Sequence, residues 1–284
     1  MTEERTLRDA LELEQVGENS FIGQNVTIGH GASVVFGGQL LSQSIMAAST
    51  ISPEKYVKTI HLIFARGADP SKPLEIEVDT MAAGRAMASA TVTTRQEGRL
   101  CTRALVLLTA EEPDLIRHAI SMPDVGKPAA SPERGGEGDF WEVRIVDDVD
   151  LMSGDVGPAE LNVWSRFPGD GADGVLGQAL LSYATDGFLI ATAMRPHEGI
   201  SQAQAHVSIS TSVLSHTLTF HEPIDASRWH LLSHESPYAG RGRTYGRAHV
   251  FNEEGQLVAS YVQDNMVRDF PKESRPAPGE RSKF

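Results

Sequence analysis

The chain has 284 residues and a single cysteine, Cys101. That excludes an internal disulfide and a cysteine-based metal cluster, and it agrees with a reducing compartment. No run of 18 apolar residues occurs, so no segment reads as a membrane-spanning helix. The opening stretch MTEERTLRDALELEQ is acidic and lacks the apolar core of a secretory signal, and the expected location is the cytoplasm. Long Lys/Arg runs are missing too. With 38 acidic and 25 basic residues the formal charge is −13, which argues against nucleic acid or an anionic membrane as the main partner. The phosphate-loop patterns G-x-x-x-x-G-K-[ST] and G-x-G-x-x-G are absent around Gly37-Gly38, and that pair reads as a tight turn before a helix.

What the chain does contain is a repeat. Gly38, Gln39 and Leu41 match Gly177, Gln178 and Leu180 at an offset of 139. His61 then matches His216, Ala83-Gly84-Arg85 matches Ala239-Gly240-Arg241, and Glu97-Gly98 with Leu100 matches Glu254-Gly255 with Leu257, at offsets of 155, 156 and 157. An offset that grows in one direction is what a duplicated domain with a few insertions produces. At these offsets Asp186 stands opposite Ala47 and Gln263 opposite Val106, so two polar groups belong to the second copy alone. Residues 126–139, GKPAASPERGGEGD, concentrate Gly, Pro and charge and read as a linker. The expected division is therefore a first repeat over 1–125, the linker, a second repeat over 140–270 and a flexible tail over 271–284. A hydrophobic content of 40% is enough for a packed core.

Leu41, Ile45 and Ala48 stand at helical spacing, predicting a helix over 38–50. LEIEVDT alternates apolar and acidic residues from Leu74, as a strand with one buried face does, while ALVLLT at 104–109 is apolar on both faces. ASATVTTRQEGRL reads as two strands joined at Glu97-Gly98. The second half gives the same order: a helix near 175–190, then strands near 215–221, 228–235, 243–251 and 257–268. One helix followed by an antiparallel meander, twice, is an α+β architecture.

A helix wrapped by a curled antiparallel sheet, duplicated in one chain, resembles the double hotdog fold. The ordered stretches VFGGQLLSQSIMAA, IHLIFARGAD, YATDGFLIATAMRPH, SHTLTFHEPI and GQLVASYVQDNMVR resemble the type II acyl-CoA thioesterase family from about Leu7 to Arg268. The resemblance implies hydrolysis of acyl-CoA to a free acid and CoA, with no metal and no bound cofactor, in a homo-oligomer. It also implies a catalytic set of Asp, Ser or Thr, and Gln that orients a water. Asp186 in YATDGF and Gln263 in ASYVQDNM match the first and last. The middle position departs: the family hydroxyl sits two places before an Asp-His pair, and that pair here is Ser215-His216, which puts Val213 where the hydroxyl belongs. Thr211 and Ser215 share Val213's strand face by alternation, and Ser212 reaches it through a one-residue bulge. Ser212 or Ser215 is expected to fill the role.

Taken alone, Asp186 reads as a helix-end residue before Gly187, and Gln263 as an outward strand residue. For the chemistry, a partly buried carboxylate is a better base, a glutamine carbonyl can hold the same water, and a backbone N–H near Gly187 or at a helix start can meet the oxyanion. The CoA phosphates need cations, and Arg241, Arg243 and Arg247 in AGRGRTYGR are the candidates. His206, His216, His221, His230 and His234 invite a metal site, but the spacing of five from His216 to His221 puts them on opposite strand faces, and no metal is expected. Cys101 reads as a strand residue near the core. Two other functions stay open: a double hotdog protein that binds acyl-CoA with little hydrolysis because of Val213, and hydration of an enoyl-CoA by Asp186 with His197.

Overall fold

A computed structural model describes residues 5–26, 34–132 and 140–270. The expected tail and residues 133–139 of the expected linker lie outside the described residues. In chain order the first half contains α1 (Leu7–Leu11), β1 (Glu14–Gly17), β2 (Ser20–Gly23), α2 (Gly37–Ser49), β3 (Tyr56–Phe64), β4 (Leu74–Ala83), β5 (Met87–Gln96) and β6 (Arg99–Thr109). The second contains β7 (Glu142–Ile145), β8 (Glu160–Arg166), α3 (Gly174–Thr185), α4 (Leu189–Met194), β9 (Ile209–Phe220), β10 (His230–Gly240), β11 (Arg243–Asn252) and β12 (Leu257–Asp269). All strands join one antiparallel sheet in the order β1-β2-β4-β5-β6-β3-β9-β12-β11-β10-β8-β7. Read outward from the β3–β9 seam, the two halves repeat the same order. The meander expected after each helix is only part of each half, because two short strands also precede the helix and extend the sheet edge.

Local chemistry accounts for the pieces. In β4 Leu74, Ile76 and Val78 are buried while Glu75, Glu77 and Asp79 are exposed. Glu97 and Gly98 both take positive φ (51° and 73°), the two-residue hairpin turn that matches strand twist. β6 buries Ala104, Val106 and Leu108 but leaves Leu105 and Leu107 exposed on the outer face. Cys101 is buried, with its thiol pushed up by desolvation.

At the seam, Thr59 to Ile63 of β3 pair with Thr219 to Ser215 of β9, so the two sheets are continuous. Above it α2 and α3 cross antiparallel, and Ser42 Oγ donates to Ala179 O (2.6 Å) and lies 3.0 Å from Ser182 Oγ. The small residues at this crossing let the helices close on each other. The repeated glutamines brace each helix to backbone. Gln178 bonds both main-chain groups of Val57 (3.1 and 2.7 Å), and Gln39 accepts from Val26 N (3.1 Å). Gln178 thus ties the second-half helix to a first-half strand, and residues of both halves share one core that includes Leu41, Ile45, Ile60, Leu180 and Leu218. A smaller cluster on the outer face of the second half, with Trp164, Trp229 and Phe251, is packed against by Met122 and Val125, from the stretch between β6 and β7. No helix among the described residues is long and apolar enough to cross a membrane.

The single helix expected near 175–190 is two helices. α3 ends at Thr185, Asp186 is its C-cap, and α4 starts at Leu189. The break turns Asp186 inward, toward the start of α2.

Candidate active site

Asp186 is buried at the end of α3, and the α2 start from the other half lies against it. The N–H of Gly38 donates to its carboxylate. A side chain on Gly37 would put Cβ 2.5 Å from Asp186 Oδ2, and one on Gly38 would put Cβ 2.5 Å from Tyr183 O. The Gly37-Gly38 pair therefore opens the helix and allows this close approach, in the place where the sequence suggested a turn. Burial pushes the Asp186 carboxyl above its ordinary value, and the Gly38 N–H pulls it partly back.

Gln263 reaches Asp186 from the middle of β12 and is completely buried. Its Nε2 is 3.2 Å from Asp186 Oδ1, 3.3 Å from Thr185 O and 2.8 Å from His216 Nδ1. Its Oε1 is buried with no hydrogen-bond partner among the described residues. His216, directly across from Gln263 in β9, completes the group. Its Nε2 lies 3.1 Å from Thr185 Oγ1, whose own proton goes to Ser182 O (2.7 Å). That assigns the proton of His216 to Nε2 and leaves Nδ1 to accept from the glutamine amide. The His216 ring stacks on Tyr261 at 5.4 Å, and the Tyr261 hydroxyl lies 2.6 Å from His234 Nε2. His234 in turn donates from Nδ1 to Leu161 O (2.9 Å). A buried carboxylate, a bare carboxamide oxygen beside it and a stacked aromatic ring are thus brought together from α3, β12 and β9.

Three comparisons place the chain among known proteins. A family model described as the acyl-CoA thioesterase C-terminal domain matches residues 119–267, and its N-terminal counterpart matches 27–109. The chain belongs to the acyl-CoA thioesterase family. Within that thioesterase family it is 28% identical over 279 residues to "Acyl-CoA thioesterase 2" of Haemophilus influenzae, covering 91% of this chain and 95% of that one. Among solved structures, the acyl-CoA thioesterase II TesB2 of Mycobacterium marinum superposes with a TM-score of 0.79 at 26% identity, covering 94% and 100% of the two chains. A hot dog fold protein of Alicyclobacillus acidocaldarius superposes at 0.74 and 19% identity, over 93% and 98%, a likeness of fold. The architecture is the double hotdog.

The other residues singled out in this thioesterase sequence are dispersed. Register runs Gln263–His216, Asp264–Ser215, then Asn265–Val213 and Met266–Ser212, so Leu214 is an extra residue in β9. That bulge reverses the alternation expected for Ser215, which faces outward and donates to Asp264 Oδ2 (3.0 Å). Ser212 lies beyond the bulge, across from Met266, three residues from Gln263 and so on the opposite face. Neither serine is brought to Asp186 and Gln263.

The arginines separate too. Arg241 and Gly242, both at positive φ, form the β10–β11 turn, with Arg243 directly after it, whereas Arg247 is ion-paired with Glu235. Arg268 lies beside the same turn, against Gly242. The histidines go to separate partners: His206 to Thr211, His221 to Ser260, His230 to Arg228 O. His197 is exposed just after α4, and the imidazole next to Asp186 is that of His216. Sequence reading passed over His216 as a site residue although it was already a landmark of the repeat; its cross-strand position opposite Gln263 is visible only in the register.

Proposed function

We propose that this chain hydrolyses acyl-CoA thioesters to a free acid and CoA, with Asp186 and Gln263 holding the attacking water. The observation that carries the reading is the buried contact of Gln263 Nε2 with Asp186 Oδ1 at 3.2 Å, with Gln263 Oε1 unpartnered beside it. A water that donates one hydrogen to Asp186 and the other to Gln263 Oε1 is fixed with its lone pair free to attack. Asp186 takes the proton as oxygen bonds to the thioester carbon, and the C–S bond then breaks as the proton passes to the departing thiolate. In this reading the N–H of Gly37, at the start of α2 beside Asp186, meets the oxyanion, because the next three donors are taken by Asp186 and Phe36 O. Arg241 and Arg243 suit the phosphates of CoA better than Arg247, which Glu235 already holds.

Purified protein should release thiol from short, medium or long acyl-CoA; no release from any of them would overturn the proposal. The second reading, an acyl-CoA binder without turnover, draws on Val213 and on the outward Ser215, and it predicts calorimetric binding without product. Enoyl-CoA hydration is less well supported, because both ring nitrogens of His216 are engaged and cannot pass a proton to substrate.

The same reading treats residues 1–125 and 140–270 as two repeats joined by 126–139, in a cytoplasmic homo-oligomer. Exposed Ile63, Leu105 and Leu107 on the outer sheet face support self-association, and a monomer mass by light scattering would remove it.

A further inference from the structure

Nine buried side-chain nitrogen or oxygen atoms have no hydrogen-bond partner among the described residues, and four of them fall on one ladder: Gln263 Oε1, both carboxamide atoms of Asn265, and Thr244 Oγ1. Asn265 is 0% exposed and Thr244 5%. Register explains the grouping. Asn265 follows Gln263 by two residues in β12, so both project from the same face. Its cross-strand partners are Thr244 on β11 and Val213 on β9, and directly opposed residues share a face. Val213 offers only methyl groups there. The next hydroxyl on that face of β9, Thr211 Oγ1, lies against His206 Nε2 at 3.4 Å.

A carboxamide wholly removed from water with none of its hydrogen-bonding positions filled is rare in a folded protein, because the unmet groups destabilise it. Its position says what fills them. One pleat away stands the bare Gln263 Oε1 beside Asp186, the corner in which water and thioester must meet. Opposed Cβ atoms in an antiparallel pair lie about 4.5–5.5 Å apart, so the Asn265 side chain leaves the sheet beside Val213 on the face that Gln263 shares.

We infer that Asn265 is a further catalytic residue, whose carboxamide hydrogen-bonds the reacting water and thioester beside Gln263 and supplies from β12 the polar contact that Val213 cannot supply from β9. The inference rests on the thioesterase reading given above. Asn265 forms no bond to substrate and carries no proton: the path remains water to Asp186 to the thiolate, with the amide fixing the reacting atoms. Thr244, its other cross-strand neighbour, provides a second hydrogen-bonding group at the same place.

The test combines thiol release from an acyl-CoA with thermal melts for the wild type, Asn265→Ala, Asn265→Ser, Val213→Thr and the double variant Val213→Thr/Asn265→Ala. Asn265→Ala should lower kcat by about 10- to 100-fold while Tm holds or rises, since the substitution removes unmet polar groups. Asn265→Ser, close to alanine in size but able to hydrogen-bond, should keep more of the rate. In the double variant a hydroxyl returns across the strand, and at least about a tenfold recovery over Asn265→Ala is expected, a non-additive effect of neighbours. The inference is overturned if Asn265→Ala keeps kcat within about twofold of wild type, or if rate and Tm fall together with no recovery in the double variant. A wild type inactive on every acyl-CoA would instead remove the thioesterase reading itself. Should Asn265→Ala fail to fold, Asn265→Ser and its Val213→Thr double variant carry the same comparison.

Discussion

Gly37, the first residue of the first-half helix, lies so close to Asp186 at the end of the second-half helix that a Cβ on Gly37 would stand 2.5 Å from Oδ2. Phe64 closes the other side at 3.0 Å, so an added methyl has no free direction to take. Gly37→Ala should therefore move the carboxylate away from Gln263 and slow thiol release about 100-fold, since a misplacement of this kind costs that much when geometry is the source of rate. A Gly37→Ala protein as fast as wild type would mean that Asp186 tolerates displacement, which a water-holding base does not.

Asp186→Asn should reduce kcat by about 10²- to 10⁴-fold without loss of fold. Its effect on stability has a definite sign. The folded-state pKa is raised by burial, so Asp186 contributes stability in its protonated form and loses that contribution as pH rises through the folded value. At pH 8 the uncharged amide should melt at the same temperature as the wild type or higher. By the same shift, kcat/KM of the wild type should fall with acid at a pH above that of an ordinary carboxylate. A profile that breaks at the ordinary carboxylate value of 3.8 would contradict a buried base.

His230 and His234 should make the fold acid-sensitive. Burial lowers each from 6.5 to about 4. A histidine with a depressed folded value contributes stability above 6.5 and loses it as pH falls toward about 4, because the unfolded chain takes up the proton first. Each should cost roughly 2 kcal/mol at pH 5 relative to pH 8, from its displacement in pKa. Melts at the two pH values measure the sum. His234→Gln, which retains a side-chain hydrogen-bonding group without the titration, should flatten part of the dependence.

Ser212→Ala and Ser215→Ala should each leave kcat within about twofold, as expected of residues away from the reacting group. A large loss in either would place its hydroxyl at the water after all and would require the β9 bulge to sit elsewhere in solution.

Much of this architecture was legible in the sequence because it is encoded locally. Leu74, Ile76 and Val78 alternate with acids, Glu97-Gly98 is a hairpin signal, and the repeat landmarks recur in order. Asp186 and Gln263 were reached through resemblance, with the repeat showing that each belongs to the second copy alone. What was hidden depends on pairing across distance. The stretch LLSYATDGFLIATAM is largely apolar, so periodicity alone runs one helix through the break, although Asp186 before Gly187, taken alone, reads as a helix end and is the C-cap of α3. The bulge at Leu214 has no local signature, yet it reverses which face Ser215 occupies. His216 and Asn265 acquire meaning only from the strands opposite them, and Gly37 only from a helix that begins 137 residues later, at Gly174.

The antiparallel crossing of α2 and α3 makes the molecule polar in an evolutionary sense. Ala47, the counterpart of Asp186, lies ten residues along α2 from Gly37, which places it about 15 Å down the helix axis from the chemistry. On the proposed mechanism one end of the helix pair is held to fixed residues by turnover, while the other answers only to packing. Substitutions should accumulate as a gradient along that axis, and the silent end is where a descendant of this chain has room to acquire a binding property without disturbing the reaction.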